Sequence, residues 1–395
     1  MKKIFKTLSL ALMACAALVA CKDNNGEGSG PKSPYNADIT TPANCYIVAP
    51  GSVTRFVANI GNTAEKAQFA TAELTWQDAQ GLITKVEGQA ANGAVVVTTA
   101  AEAQGNALVS VKDADGKIVW NYHVWVTNYN PEANVMTFKA TKTVEEVTYN
   151  YDFVMMDRYL GAMSGEVGSL DAFGLHYNWG RPTPLFAGTL KTGGDYAPFF
   201  DMEGDTVALT LAAPVENLDN NIPTAIANPT TQYNGGSDCN YGWLGSKAFS
   251  KTAEVDDLWG GVSGVQTKYD PCPAGWRVAP YNAYRFFDSA ATAVEGYEYE
   301  VAKVYANDEV ANANFLGMKV TTGDKSFFFP AAGESGPNGN WTNGYGGTWP
   351  NGKAWTAVND TANSRAWATA MSPSSASCAQ GLGYSYALPV RCIKL

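Results

Sequence analysis

Histidine is nearly missing from this chain, with 2 among 395 residues, and no cysteine pair has C-x-x-C spacing. Those shortages exclude the common zinc sites, which draw most of their ligands from these two residue types. Charge is scarce too: 16% of residues are Asp, Glu, Lys or Arg, and the basic ones are outnumbered 27 to 37, for a formal net charge of −10. A surface of that sign repels phosphate backbones, so nucleic acid is not expected as a partner. Past residue 20 no uncharged apolar run reaches the ~20 residues that a spanning helix requires. The chain also has no G-x-S-x-G elbow, no Walker loop, no HExxH and no G-x-G-x-x-G after a strand, which removes the recognisable signals for several catalytic chemistries. What is abundant is aromatic and turn-forming: 11 Trp, 20 Tyr and 16 Phe beside 39 Gly and 19 Pro. Strand formers mixed with turn formers predict a β-rich, loop-rich protein, and the length suits two domains.

The first residues carry addressing information. Met1-Lys2-Lys3-Ile4-Phe5-Lys6 is a basic n-region, followed by a short apolar stretch through Leu8, Leu10, Ala11, Leu12, Met13 and Ala14, the pattern of an export signal. Leu18-Val19-Ala20-Cys21 then resembles the lipobox of bacterial lipoproteins, in which the cysteine is diacylglycerated and the signal cut before it. The resemblance implies a signal peptide over 1–20 and lipid on Cys21, the alternative being ordinary signal cleavage with Cys21 incidental. More than one acyl chain gives stable membrane attachment. Removing Lys2, Lys3 and Lys6 with the signal leaves 24 basic against 37 acidic side chains, or −13. Residues 21–34 are polar, with Gly, Ser and Pro, and read as a flexible tether. Lys22-Asp23 is similar to the tag that sends some Bacteroidota lipoproteins to the outer face of the outer membrane. The expected location is therefore the outer membrane, lipid-anchored and facing outward.

In that compartment disulfides persist. Cys15 leaves with the signal and Cys21 carries lipid, so Cys45, Cys239, Cys272, Cys378 and Cys392 remain, an odd number that leaves at least one thiol. From 35 to 130 short β-branched or aromatic runs recur about every ten residues: Cys45–Val48, 55–60, 73–76, 94–98 and 107–111. The clearest unit is a hairpin whose turn is Asp113-Ala114-Asp115-Gly116, where Gly supplies the positive φ of a tight turn. Its two carboxylates fall short of the six to eight oxygens that calcium takes. His123, between aromatic neighbours in the second arm, is expected to be a hydrogen-bonded structural histidine. This segment reads as an immunoglobulin-like β-sandwich. Residues 131–149 read as linker and entry strand. In the remainder, 150–395, the one convincing helix starts near Pro280 and carries Tyr281, Tyr284, Phe287 and Ala291 at helical spacing.

Four words in that last segment occur together: Met156-Asp157-Arg158-Tyr159-Leu160-Gly161-Ala162, Gly174-Leu175-His176-Tyr177-Asn178-Trp179-Gly180-Arg181, Asp270-Pro271-Cys272-Pro273-Ala274-Gly275-Trp276-Arg277-Val278 and Pro389-Val390-Arg391-Cys392-Ile393-Lys394. In this order they resemble the "Fibrobacter succinogenes major paralogous" domain of surface lipoproteins and fimbrillin-associated proteins of Bacteroidota. That family in turn looks like a member of the C-type-lectin-like and formylglycine-generating-enzyme fold group. The resemblance implies an irregular α+β domain over 150–395, in which a Trp-Arg strand leads into a helix and the last strand returns beside the first. Asn44-Cys45-Tyr46-Ile47-Val48-Ala49-Pro50-Gly51 is similar to the opening of fimbrillin-related N-terminal domains. Cys272 and Cys392 each sit beside a strand word, and bridging them would stabilise the fold by ~4 kcal/mol in the chain-entropy model. Cys239 with Cys378 is the second candidate pair, leaving Cys45 as a buried thiol.

The chemistry of the fold group does not carry over. Copper-dependent formylglycine generation needs two thiols close together near the chain end, whereas Cys378 and Cys392 stand far apart in sequence. Calcium lectins need Glu-Pro-Asn or Gln-Pro-Asp and Trp-Asn-Asp words, and Gly336-Pro337-Asn338 and Trp355-Thr356-Ala357 match neither. Asp201-Met202-Glu203-Gly204-Asp205 begins like a calcium loop, but an EF-hand needs Glu where Ala212 stands. No metal, no cofactor and no catalytic residue is expected. The aromatic loop from Gly333 to Trp355 is the candidate ligand-binding surface: Trp341, Tyr345 and Trp349 offer faces to a sugar, and Asn338, Asn340, Asn343 and Asn351 offer hydrogen bonds. Trp355 is assigned to the core. The leading expectation is a non-enzymatic surface adhesin for a glycan or host protein, in a fimbrial tip or accessory position. The alternatives are a structural fimbrial subunit, for which no spare strand follows the bridge to be donated, and an enzyme of this fold with unrecognised chemistry.

Overall fold

The computed structural model describes residues 34–187, 198–212, 219–234, 242–246, 248–288, 292–293, 298–306, 312–337, 339, 341–342, 344–345 and 350–395. Alternation of Val, Thr and aromatic residues builds 45% of it as strands, in several antiparallel or mixed sheets. The first eight are β1 (Ala37–Ile39), β2 (Cys45–Val48), β3 (Val53–Val57), β4 (Thr71–Gln77), β5 (Ile83–Gln89), β6 (Ala94–Thr99), β7 (Gly105–Lys112) and β8 (Ile118–Val126). One sheet has the order β1-β3-β6-β5. The other runs β4-β7-β8-β2, with β2 parallel to β8 at the far edge. Between them Phe56, Val95, Val97, Val109, Val111 and Val124 are buried around a ring cluster, with Tyr46 stacked on Phe56 at 4.2 Å. The β7–β8 turn forms as the sequence requires: Gly116 takes φ +79°, and the Asp113 carboxylate accepts from the Asp115 and Lys117 amides at 3.0 and 2.9 Å.

Two later strands complete this half. Phe199–Phe200 pairs with β4 through Phe200 and Gln77, and Thr206–Val207 adds outside it. The Phe199 ring lies flat on Trp76, centroids 4.0 Å apart and planes 5° off parallel. The Asp201–Asp205 stretch that follows is a turn, its Asp201 carboxylate accepting from the Glu203 and Asp205 amides.

β9 (Val135–Val144) and β10 (Val147–Met156) form a long hairpin. β10 meets Cys392–Lys394, which in turn pairs with Trp276–Val278. A second sheet places Leu175–Asn178 against Ala387–Pro389, then Glu334–Ser335 and Trp341–Thr342. Two three-stranded meanders, Tyr299–Pro330 and Gly352–Gly383, cover the remainder. The helix expected after Pro280 is a 3-10 helix, Tyr281–Phe287, kinked at Tyr284. Tyr281, Tyr284 and Phe287 stand three apart, the spacing that repeats at 3.0 residues per turn; Ala291 lies outside the described residues. Two short α-helices, Ile222–Ala227 and Ala253–Asp256, have too few residues to show a period in sequence.

Tyr35–Leu395 is one compact unit. A single apolar cluster joins Cys45, Trp76, Leu108 and Trp125 of the first half to Met156, Trp179, Trp276 and Trp355 of the second. Amides staple the same boundary: Asn44 Nδ2 donates to the Lys268 and Asp270 carbonyls at 2.9 and 2.8 Å, and Asn62 Nδ2 donates to those of Thr267 and Asp270. Among the described residues no helix is long and apolar enough to cross a membrane.

Candidate functional site

All four sequence words meet around the final strands. Cys272 and Cys392 are bonded, their Cα atoms 6.1 Å apart, where Val278 pairs with Cys392. Leu160 N–H donates to the Val390 carbonyl, and His176 faces Pro389 in the neighbouring sheet. Three indoles tie the second word to its surroundings: Trp243 Nε1 donates to Trp179 O, Trp179 Nε1 to Thr356 O, and Trp355 Nε1 to Tyr177 O, all within 2.9 Å.

Two charged members of these words, Arg181 and Asp270, hold backbone, whereas Asp157 pairs with side chains. Arg181, fully buried, donates to the carbonyls of Thr231, Ala225, Asn228 and Pro229 and to the Thr183 hydroxyl. Asp270 accepts from the amides of Cys272 and Val278, both at 2.9 Å, while burial pushes its carboxyl up to about 7. Asp157 accepts from Arg158 and from Asn134. Arg181 thus pins the 225–231 segment and Asp270 the approach to the Trp276–Val278 strand.

The residues assigned to the aromatic loop are placed unevenly. Trp341 contributes backbone to an edge strand opposite Ser335. Tyr345 is half-buried, packed near Leu316 and Phe328, and its N–H donates to the Ala331 carbonyl at 3.2 Å. Asn338, Asn340, Asn343 and Trp349 lie outside the described residues, as do Cys21 and Cys239. Cys378 is buried. Trp355 is fully buried, and Cys45 is a buried thiol outside the disulfide, pushed up by desolvation.

At the end of that loop is a cleft of about 300 Å³ lined by Asn312, Pro350, Asn351, Ser372, Pro373 and Ser374. The Asn351 side-chain oxygen is buried without a partner, while the hydroxyls of Ser372, Ser374 and Ser375 bond one another at 3.1–3.2 Å. Amide and hydroxyl groups beside proline rings match a polyhydroxyl ligand better than an ion, because both donors and acceptors are offered and no net charge is. Asn351 was legible as part of an Asn-rich loop; Ser372–Ser374 come from a separate turn that no local pattern ties to it.

A second cleft, about 360 Å³, opens between the β7–β8 hairpin and the helix Ile222–Ala227. Trp120 and Tyr269 lie on it with ring centroids 6.1 Å apart, and Lys268 Nζ sits 5.7 and 5.4 Å from the two rings. Trp120 is 2% exposed, so its face is sealed and the cleft offers little stacking surface. No protein-family model, no curated protein and no solved structure matches the chain.

Both histidines are buried. His123 Nε2 is 2.9 Å from Asn106 Oδ1, and desolvation pushes each imidazole down to about 3. A group depressed in the folded state binds fewer protons there than in the unfolded chain, so its stabilising effect is whole above about 6.5 and is lost as pH falls toward 3. Buried Asp78 and Asp270, raised to about 6 and about 7, act oppositely, weakening the fold as pH rises from about 4. His123→Gln should therefore flatten the decline between pH 6.5 and 4. The check is urea denaturation of both proteins across that range. Parallel curves would show that His123 does not contribute.

Proposed function

We propose that this chain is a non-enzymatic, lipid-anchored lipoprotein of the outer membrane surface that binds glycan, with an immunoglobulin-like first half and a second half of the Fibrobacter succinogenes major paralogous, lectin-like kind. The cleft at the end of the Gly333–Trp355 loop carries this reading, since it combines an unpartnered amide oxygen with several hydroxyls beside an aromatic-rich segment. Two features of the architecture support the family assignment: the Trp276–Val278 strand leads into the Tyr281–Phe287 helix, and Cys392–Lys394 returns beside β10. The Cys272–Cys392 bond suits an oxidising compartment. Asn351 would accept from a sugar hydroxyl.

A structural fimbrial subunit is the second reading. The β9–β10 hairpin favours it, because Val147 and Tyr149 near its tip are 53% and 49% exposed.

One experiment separates the two. The chain from residue 22 onward is applied to a glycan array with chelator present, beside Trp349→Ala and Asn351→Ala. The expected result is chelator-resistant binding that falls roughly tenfold to a hundredfold in each variant, the loss of about 1.4–2.8 kcal/mol. Detergent-resistant oligomer ladders with no glycan retained would favour assembly. Binding unchanged in both variants would remove the cleft from the account.

A further inference from the structure

The described lining of the cleft at the end of the Gly333–Trp355 loop carries no charged side chain: it is made by Asn312, Pro350, Asn351, Ser372, Pro373 and Ser374. The sequence around those residues is also poor in cations. Segments 307–317, 343–357 and 366–380 together contain one basic residue, Lys353, against two acidic ones, Asp308 and Glu309. Lys353 is not open to a ligand, because its side chain is 11% exposed and its ammonium donates to Glu334 Oε2 at 2.5 Å. Among the described lining residues, therefore, neither a guanidinium fork nor an ammonium is offered to a carboxylate or a sulfate.

The polar groups of the cleft divide into one that is unmet, one that is used up and one that has capacity left. Asn351 Oδ1 is buried and accepts from no group of the protein, so it calls for a donor. Ser372 Oγ is taken up within its own turn, by the Ser374 and Ser375 amides at 3.3 and 3.1 Å and by their hydroxyls. Ser374 is exposed, and its hydroxyl meets Ser372 Oγ at 3.2 Å, which leaves it able to bond a ligand as well. A sugar hydroxyl both donates and accepts, so it satisfies Asn351 and Ser374 alike. An ionised carboxylate only accepts, and beside Asn351 Oδ1 it sets acceptor against acceptor. The volume, about 300 Å³, stands at the lower end of the range for small-molecule sites, which suits one ring rather than a run of them.

Resting on the glycan reading above, we propose that this cleft takes a single sugar ring free of acidic groups, at the end of its glycan, and discriminates against rings that bear a carboxylate or a sulfate.

Titration calorimetry on the chain from residue 22 onward tests this with methyl glycosides of glucose, galactose, mannose and N-acetylglucosamine. Beside them are measured the uronates of the first three and neutral disaccharides ending in each ring. The expected result is that a neutral ring binds at least about tenfold more tightly than its uronate, the cost of leaving a desolvated carboxylate unpaired. The disaccharide is expected within about threefold of the single ring, since the second ring lies outside the cleft. Ser374→Lys sets an ammonium at the exposed rim and should narrow the preference for the neutral ring by about twofold to fivefold. Uronates bound as tightly as neutral rings overturn this inference and leave the glycan reading standing. So does binding confined to the disaccharides. A preference that Ser374→Lys leaves unchanged overturns its placement in this cleft, and should that variant fail to fold, the wild-type ratios decide. No sugar bound here or on the array removes both readings.

Discussion

Replacing Cys272 and Cys392 together by alanine should lower the stability of the folded chain by about 4–5 kcal/mol. The two residues stand 120 positions apart, and in the chain-entropy model a loop of that length restrains the unfolded ensemble by roughly this amount. The position sharpens the expectation. Cys392–Lys394 is three residues long, yet it lies between β10 and Trp276–Val278 and links them into one sheet. Cutting the bond frees a short strand that has little else to hold its register, and Ile393, 1% exposed, would lose its cover. Urea denaturation of the wild type with and without reductant, beside the double variant, measures the effect. A difference under about 1 kcal/mol would show that the strand is held by packing alone.

Trp355→Ala should cost about 3–5 kcal/mol, the range for removing a large buried aromatic side chain. The indole is fully buried in the cluster that joins both halves, and its N–H donates to Tyr177 O at 2.8 Å. Alanine leaves both a cavity and a buried carbonyl without its donor. Trp355→Phe keeps much of the volume and isolates the hydrogen bond, for which about 1–2 kcal/mol is expected. Trp179 donates to Thr356, next in the same strand, so the Phe variants at 179 and 355 should couple by more than about 0.5 kcal/mol in a double-mutant cycle. Additive losses would mean that the indoles act separately.

Local chemistry was legible in the sequence, and long-range assembly was not. The Asp113–Gly116 turn could be read because one glycine must supply its positive φ, and Cys45–Val48 and Ala94–Thr99 because β-branched runs bounded by turn residues have one common use. The 3-10 helix was visible as a helix but not as its type, since a three-residue repeat over seven residues fits either period. Phe199–Phe200 could not be found at all, being two residues whose partner, β4, lies more than a hundred positions earlier. The clefts escaped for the same reason: Asn351 and Ser372–Ser374 approach one another across a meander, and only Asn351 stood in a segment that composition had marked.

The flat contact between Phe199 and Trp76 sets the order of synthesis against the order of burial. Ribosomes deliver about 5–20 residues per second, so Trp76 emerges roughly 6–25 s before the ring that will cover it. Until then the β4 edge lacks the strand, and Trp76 the ring, that lie on them in the folded protein. The last layer of the first half arrives from sequence that belongs, by position, to the other half.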